Sequence, residues 1–393
     1  VDLKKIKLTL DPLNFSVNVK TIGTTVYHSN KRLELEYIKS QVSLASILKR
    51  KLISSNIEIA TRSILIKDLI KFVRATNNRP ELFILEKIIK NGHLILDLNF
   101  SYDENGNIKN DYMLTGLLKD GKIKLFDDSN FEKIDFLFNI KKNNFSFRDI
   151  KFTTDKINFF SDLLKINKKK NTLLFEGVIE NEMSVLTNSF LKLIKLDLKD
   201  FNFKNTNFQS KSNFAFEVND KFKFKNFILK SNINLEQAEY KNQDFISNYF
   251  PDINEIILLK DHKLKLNYNK NKLSIKGEGK IKFEERFDKI EYLINKNKDN
   301  FNFTTDLFIE NINFKNQKFL KSYFPFINNK INLKEHKLKI KYKNKNLLFY
   351  GIGKIKIDQK FDEINYFISK KEKKLDFDFD LNLDKTNFKI DNL

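Results

Sequence analysis

The chain has 393 residues, 41% of them hydrophobic, with 40 Phe but only 10 Gly and 4 Pro; this excludes a disordered or low-complexity protein and favours long uninterrupted elements. With no Cys, disulfides, Cys-ligated zinc and thiol chemistry are excluded as well. The net charge of +21 would suit a polyanion or an anionic membrane, yet the Lys residues are spread one by one along alternating segments, as in the product of an AT-rich genome, so no nucleic-acid partner is expected.

From the N-terminus, residues 1–66 read as strands and residues 67–92 as a helical pair. The first helix is expected over Lys67 to Ala75; the second covers Pro80 to Lys90, opened by Pro at its first position and closed by Asn91-Gly92. Residues 93–230 read as a β-meander with an interrupting helix over Glu182 to Lys195, and Asn105-Gly106 and Asp120-Gly121 are two-residue hairpin signals. Within it Phe222 and Phe224 alternate with Lys221, Lys223 and Lys225, as in a strand with one apolar face.

Residues 231–309 and 310–393 are two copies of one unit. Tyr240 to Leu293 aligns without a gap on Phe314 to Phe367, at the offset of 74 residues that separates Tyr249-Phe250-Pro251 from Tyr323-Phe324-Pro325, with about half the positions identical. His262-Lys263-Leu264-Lys265 matches His336-Lys337-Leu338-Lys339, and Gly277-Glu278-Gly279-Lys280-Ile281-Lys282 matches Gly351-Ile352-Gly353-Lys354-Ile355-Lys356. A weaker copy lies earlier, in Gly121 to Lys124 followed by Phe131 to Phe136.

Inside the unit the apolar period is two, which is the strand signal. Leu264, Leu266 and Tyr268 lead through Asn269-Lys270-Asn271-Lys272 to Leu273 and Ile275, a hairpin, and the second copy repeats it with Leu338, Ile340, Tyr342, Leu347 and Phe349. Phe377 and Phe379 alternate with Asp376, Asp378 and Asp380 near the end. Short helical turns are expected before Pro251 and Pro325. The expected fold is therefore mainly β, a long antiparallel repetitive meander with a few short helices. Its twist is expected to curl it into an apolar U-shaped groove lined by Phe222, Phe224 and the Leu, Ile, Tyr and Phe positions just named in the two repeats and the final strand.

Catalytic signatures are weak. His28, His93, His262 and His336 lack partners at metal-ligand spacing, and His262 and His336 recur at one place in the repeat, which points to a structural role. Asp103-x-Asn105-x-Asn107 misplaces the Gly and lacks the Glu of a calcium loop, so it reads as a turn. Gly277-x-Gly279 and Gly351-x-Gly353 lack the context of a nucleotide loop and read as bulge or close-approach glycines. No enzyme, metal or cofactor is expected.

Leu33-Glu34-Leu35-Glu36-Tyr37-Ile38 followed by Val42 to Ile59, and Phe159-Phe160-Ser161-Asp162-Leu163-Leu164-Lys165-Ile166 followed by Leu173 to Ile179, resemble the strands of AsmA-like proteins, over about residues 1–200 by motif and beyond by repeat character. This resemblance, to the AsmA, TamB and YhdP group, implies a bridge-like role. A curled sheet shields phospholipid tails in the periplasm of a Gram-negative bacterium, held by an inner-membrane anchor. Because the chain starts at Val1 and the last repeat stops at Leu393 without a closing segment, the sequence reads as an internal piece, with that anchor expected in the missing N-terminus.

The expected function is a non-enzymatic lipid conduit with phospholipid or another acyl lipid as partner. The alternatives are a structural or adhesive β-repeat surface protein with a closed core, and polyanion binding through a basic face.

Overall fold

The computed structural model describes residues 1–45, 56–76, 80–103, 107–125, 130–187, 189–190, 203–221, 223–241, 252–297, 300–315, 329–343, 346–357, 360–371 and 374–383. The chain is mainly β: among the described residues 22 strands form a long antiparallel meander, with two short helices, α1 (Ile66–Thr76) and α2 (Pro80–Ile88). No helix among the described residues is long and apolar enough to cross a membrane.

Two compact units divide the chain. The first comprises Val1–Asn181 with Asn213–Asn226, the second Glu182–Ser212 with Phe227–Leu393. In the first, the ladder runs through β1 (Lys5–Asp11), β2 (Ser16–Ile22), β4 (Lys31–Ser43), β5 (Asn56–Thr61), β7 (Ile89–Ser101), β8 (Met113–Lys124), β9 (Asn130–Lys141), β10 (Asn144–Thr154), β11 (Ile157–Lys168) and β12 (Thr172–Val185). Two short strands, β3 (Thr25–His28) and β6 (Ile64–Leu65), pair with β4 and β7. The hairpin of β13 (Phe203–Asn219) and β14 (Phe224–Lys241) gives its tip to the first unit and its remaining length to the second.

The second unit holds the repeat. β15 (Ile256–Asn269), β16 (Lys272–Lys282), β17 (Phe287–Asn297) and β18 (Asn300–Lys315) recur as β19 (Lys330–Lys343), β20 (Asn346–Lys356), β21 (Phe361–Lys371) and β22 (Lys374–Asn382), each starting 74 residues after its counterpart. Alternation selects strands here because one face of each is apolar and the other carries Lys, Asn and Glu. The turns are chosen for twist. Lys270-Asn271, between β15 and β16, has φ of 47° and 66°, and Asp155-Lys156, between β10 and β11, has 49° and 67°, the paired positive values of a tight hairpin loop matched to right-twisted strands.

Bulges keep the apolar side chains on one face. In β15 the pairing with β16 shifts between Lys260 and Lys263, and the extra residue, Asp261, sits at φ 55°; in β19 the shift lies between Lys334 and Lys337, with Glu335 at φ 54°. Without the inserted residue Ile257 and Leu259 would point away from Leu264 and Leu266; with it all four share a face, since Leu259 pairs with Ile281 and Leu264 with Gly277. Full burial gathers at one end of this face. Ile253, Ile257, Ile281, Leu307, Ile309 and Ile312 form one cluster and Ile331 and Ile357 another, while in the first unit Leu94, Leu118, Ile134 and Phe138 pack beneath Ile66 and Leu69 of α1.

Several local expectations are corrected. The helix expected over Glu182 to Lys195 does not begin at Glu182, because β12 continues to Val185; residues 189–190 are helical and 191–195 lie outside the described residues. Asn91-Gly92 does not close α2. That helix ends at Ile88, and the pair lies inside β7, where Gly92 takes φ 141° and faces the backbone of Gly121. Asp120-Gly121 is not a hairpin turn but a bulge within β8, with Asp120 at φ 51° and a register shift between Leu118 and Gly121. Phe224 is no strand interior: the Asn219 side-chain oxygen accepts from the Lys221 and Lys223 amides just before it, and β14 begins only at Phe224. Phe222, Asn105-Gly106 and the helical turns before Pro251 and Pro325 lie outside the described residues.

Candidate functional site: a half-buried apolar face

Residues directly opposite each other in neighbouring antiparallel strands share a face, so the registers trace rows across the sheet. In the second unit one row runs Ile233, Leu264, Gly277, Tyr292, Thr305, Ile340, Phe349, Ile368, Phe377 through nine consecutive strands. Beside it runs Ser231, Leu266, Ile275, Ile294, Phe303, Tyr342, Leu347. Tyr268 pairs with Leu273 on the same face, Leu338 with Leu307, and Phe379 with Tyr366. The Leu, Ile, Tyr and Phe positions picked out in the repeats thus lie together on one face of one unit.

The first unit carries a row of its own. Ile6, Thr21, Ile38, Ile59, Leu98, Leu114, Ile140, Phe145, Ile166 and Phe175 pair in sequence through ten strands. At about 4.8 Å per strand such a row extends roughly 40 Å. From Thr21 to Phe175 every member is half-buried, as are Leu264, Leu266, Tyr268, Leu273, Ile275, Leu338, Ile340, Tyr342, Leu347 and Phe349. A closed sandwich would bury such residues fully. Phe224 stands apart, 71% exposed, with its ring 5.2 Å from that of Phe216 in the tip that belongs to the first unit, and Phe379 is 52% exposed. The opposite face of β15 presents Lys263, Lys265 and Asn267 to solvent.

At the closed end the two repeated His residues are built in. His262 and His336 are each 1% exposed. The missing side chains of Gly279 and Gly353 make their room, and Gly277 and Gly351 likewise make room for the rings of Tyr292 and Tyr366. His262 Nε2–H donates to the Lys280 carbonyl at 2.9 Å, and its Nδ1 accepts from the Tyr292 hydroxyl at 3.1 Å. In the second copy Nδ1–H of His336 donates to the Lys334 carbonyl at 3.3 Å, and Nε2 has no hydrogen-bond partner among the described residues. Burial pushes both imidazoles down and the hydroxyls of Tyr292 and Tyr366 up to about 12, so all four are neutral at pH 7. A carboxylate shares this end: Asp288 is buried, accepts from the Glu310 amide at 2.9 Å, and is pushed up by desolvation.

Sequence reasoning saw the recurring His and Gly-x-Gly but not that each Gly seats a ring from a neighbouring strand. That pairing needs the register. It also missed Asp288, Asp362, Lys296 and Lys370, which take inward places in otherwise apolar alternation; the signal was their recurrence at the repeat offset.

Comparison with protein-family models, with curated proteins and with solved structures finds no match.

Proposed function

We propose that the chain is a segment of a non-enzymatic lipid conduit, in which the apolar face of each unit shields acyl chains from water. One observation carries this: rows made mostly of aliphatic and aromatic side chains, with Gly277, Thr305 and Thr21 as their other members, pass through nine or ten strands and stay half-buried along most of their length. Apolar area of that extent is costly in water, and flexible hydrocarbon chains lying on that face would cover it without demanding hydrogen bonds. A row free of fixed pockets suits passage better than tight retention. The partner on this reading is a phospholipid or another acyl lipid, and the setting is a bacterial envelope, where the likeness to AsmA-like strands would place an anchored periplasmic bridge.

Native mass spectrometry and lipid extraction of the purified chain test the proposal directly. The expected result is co-purifying diacyl lipid, with a photo-crosslinker at Ile340 or Leu266 labelling it and one at Lys265, on the opposite face, not doing so. Lipid-free protein with unlabelled inner positions would leave a structural spacer as the better reading.

A further inference from the structure

Along β17 the inward residues read Asp288, Ile290, Tyr292, Ile294 and Lys296, and along β21 they read Asp362, Ile364, Tyr366, Ile368 and Lys370. All five are identical between the copies. The four outward residues between them, Lys289, Glu291, Leu293 and Asn295, have become Glu363, Asn365, Phe367 and Ser369, so every one has changed. Along these two strands the repeat has kept the face turned toward the apolar rows, while on the other face only Phe287, as Phe361, is unchanged; the kept inward set includes a lysine. A lysine is the residue an apolar face least tolerates, so its retention at that place asks for a reason.

The place is informative. Lys296 pairs with Leu273 and Phe301, and Lys370 with Leu347 and Leu375, so each ammonium projects from the apolar face where the strands reach their short turns. Both side chains are exposed, and among the described residues neither makes an ion pair. The carboxylates Asp288 and Asp362 lie at the opposite, closed end, so each inner strand runs from a buried acid through about 20 Å of apolar surface to a free cation. An ammonium group at the edge of an apolar face suits the phosphate oxygens of a lipid whose chains cover that face.

We propose that this short-turn edge of the second unit holds the phosphate of an anionic diacyl lipid in each copy of the repeat, at Lys296 in one and at Lys370 in the other, while the chains lie on the apolar rows. The inference rests on the lipid-conduit reading and adds head-group charge and orientation to it: phosphate at the short turns, chain ends toward the His262 and His336 end.

The test offers the full chain three vesicle populations carrying the same fluorescent acyl chains on phosphatidylglycerol, phosphatidylcholine or diacylglycerol, and measures lipid extracted. Phosphatidylglycerol is expected to be taken up about fivefold better than the other two, as one partly exposed ion pair per lipid allows, and K296Q/K370Q should bring it down to their level while leaving theirs unchanged. Equal uptake of all three, or a double variant that still prefers phosphatidylglycerol, overturns the head-group assignment and leaves the conduit standing. Uptake of none overturns both. Inorganic phosphate at millimolar concentration should compete only weakly; full displacement of the lipid by it would show a free-anion pocket and overturn the proposal. Because both lysines are exposed, the thermal transition of K296Q/K370Q should match that of the wild type.

Discussion

Gly279 lies under the imidazole of His262, so close that a Cβ on it would stand 2.4 Å from two ring carbons, and Gly353 lies under His336 in the same way at 2.3 Å. Neither ring can retreat, since each is almost completely buried. Gly279→Ala and Gly353→Ala should each cost about 1–3 kcal/mol by overpacking, and more where the ring cannot turn aside. Gly177→Ala, whose nearest contact would be the tip of Phe214 at 3.0 Å, should cost less. Urea midpoints for the three variants and for the G279A/G353A pair check this, and near-additivity of the pair is expected because the two sites lie in separate strand pairs.

The bulge at Asp261 invites a length test. Replacing Asp261 by Gly keeps the extra residue and relieves its left-handed φ of 55°, at the loss of an exposed ion pair to Lys280, so stability should change by less than about 1 kcal/mol. Deleting Asp261 removes the inserted residue and turns Ile257 and Leu259 to the solvent face, or forces Leu264 and Leu266 there. The deletion should lower the urea midpoint far more than the substitution, and it should lose the fluorescence of an apolar dye bound to the face.

The buried imidazoles set a pH dependence. The folded-state pKa of both His262 and His336 lies below its ordinary 6.5 because burial disfavours the cation, so the unfolded chain takes up protons first as pH falls. Stability is therefore flat above pH 7 and declines as pH drops below 6.5, until the folded pKa is reached. Asp288 acts oppositely and lower down: its raised pKa lets the folded state take up a proton before the unfolded one, which restores stability as pH falls toward 3.8. Urea midpoints between pH 8 and 5 should slope downward for the wild type and flatten in H262Q/H336Q.

A carboxylate in the middle of the row should break lipid carriage without unfolding the chain. Ile340 and Ile294 are half-buried, so an Asp at either can stay hydrated while interrupting the apolar path. Extracted lipid should fall several-fold in I340D and I294D, with the circular-dichroism β signal retained. Phe224→Asp is the control. Its side chain is 71% exposed, so both lipid carriage and stability should stay near wild type, within about 0.5 kcal/mol.

The basic excess should not make a nucleic-acid site. Lys263 and Lys265 are solvated on the outer face, and nearby cations are partly taken up, Lys280 by Asp261 and Lys339 by Asp306. Gel-shift titrations with single-stranded and duplex DNA should show only weak binding, lost between 50 and 200 mM salt.

Much of this architecture was legible in the residues themselves. Period-two alternation in Leu264, Leu266 and Tyr268, the Asn-Lys turns and the offset of 74 residues determine strands, hairpins and a repeat, because a strand's side-chain parity and a tight turn's positive φ are local properties. Local signals failed where one residue pair serves two geometries: Asp120-Gly121 suits a hairpin turn and a bulge equally, and only the partner strand decides. Tertiary pairing alone joined His262 to Gly279 and Tyr292, since those contacts cross three strands whose register no single segment specifies. It alone also showed that Lys296 and Lys370 belong to the apolar face. By type a lysine reads as solvent-facing anywhere along a chain, and the face it occupies is fixed by the strands hydrogen-bonded on either side.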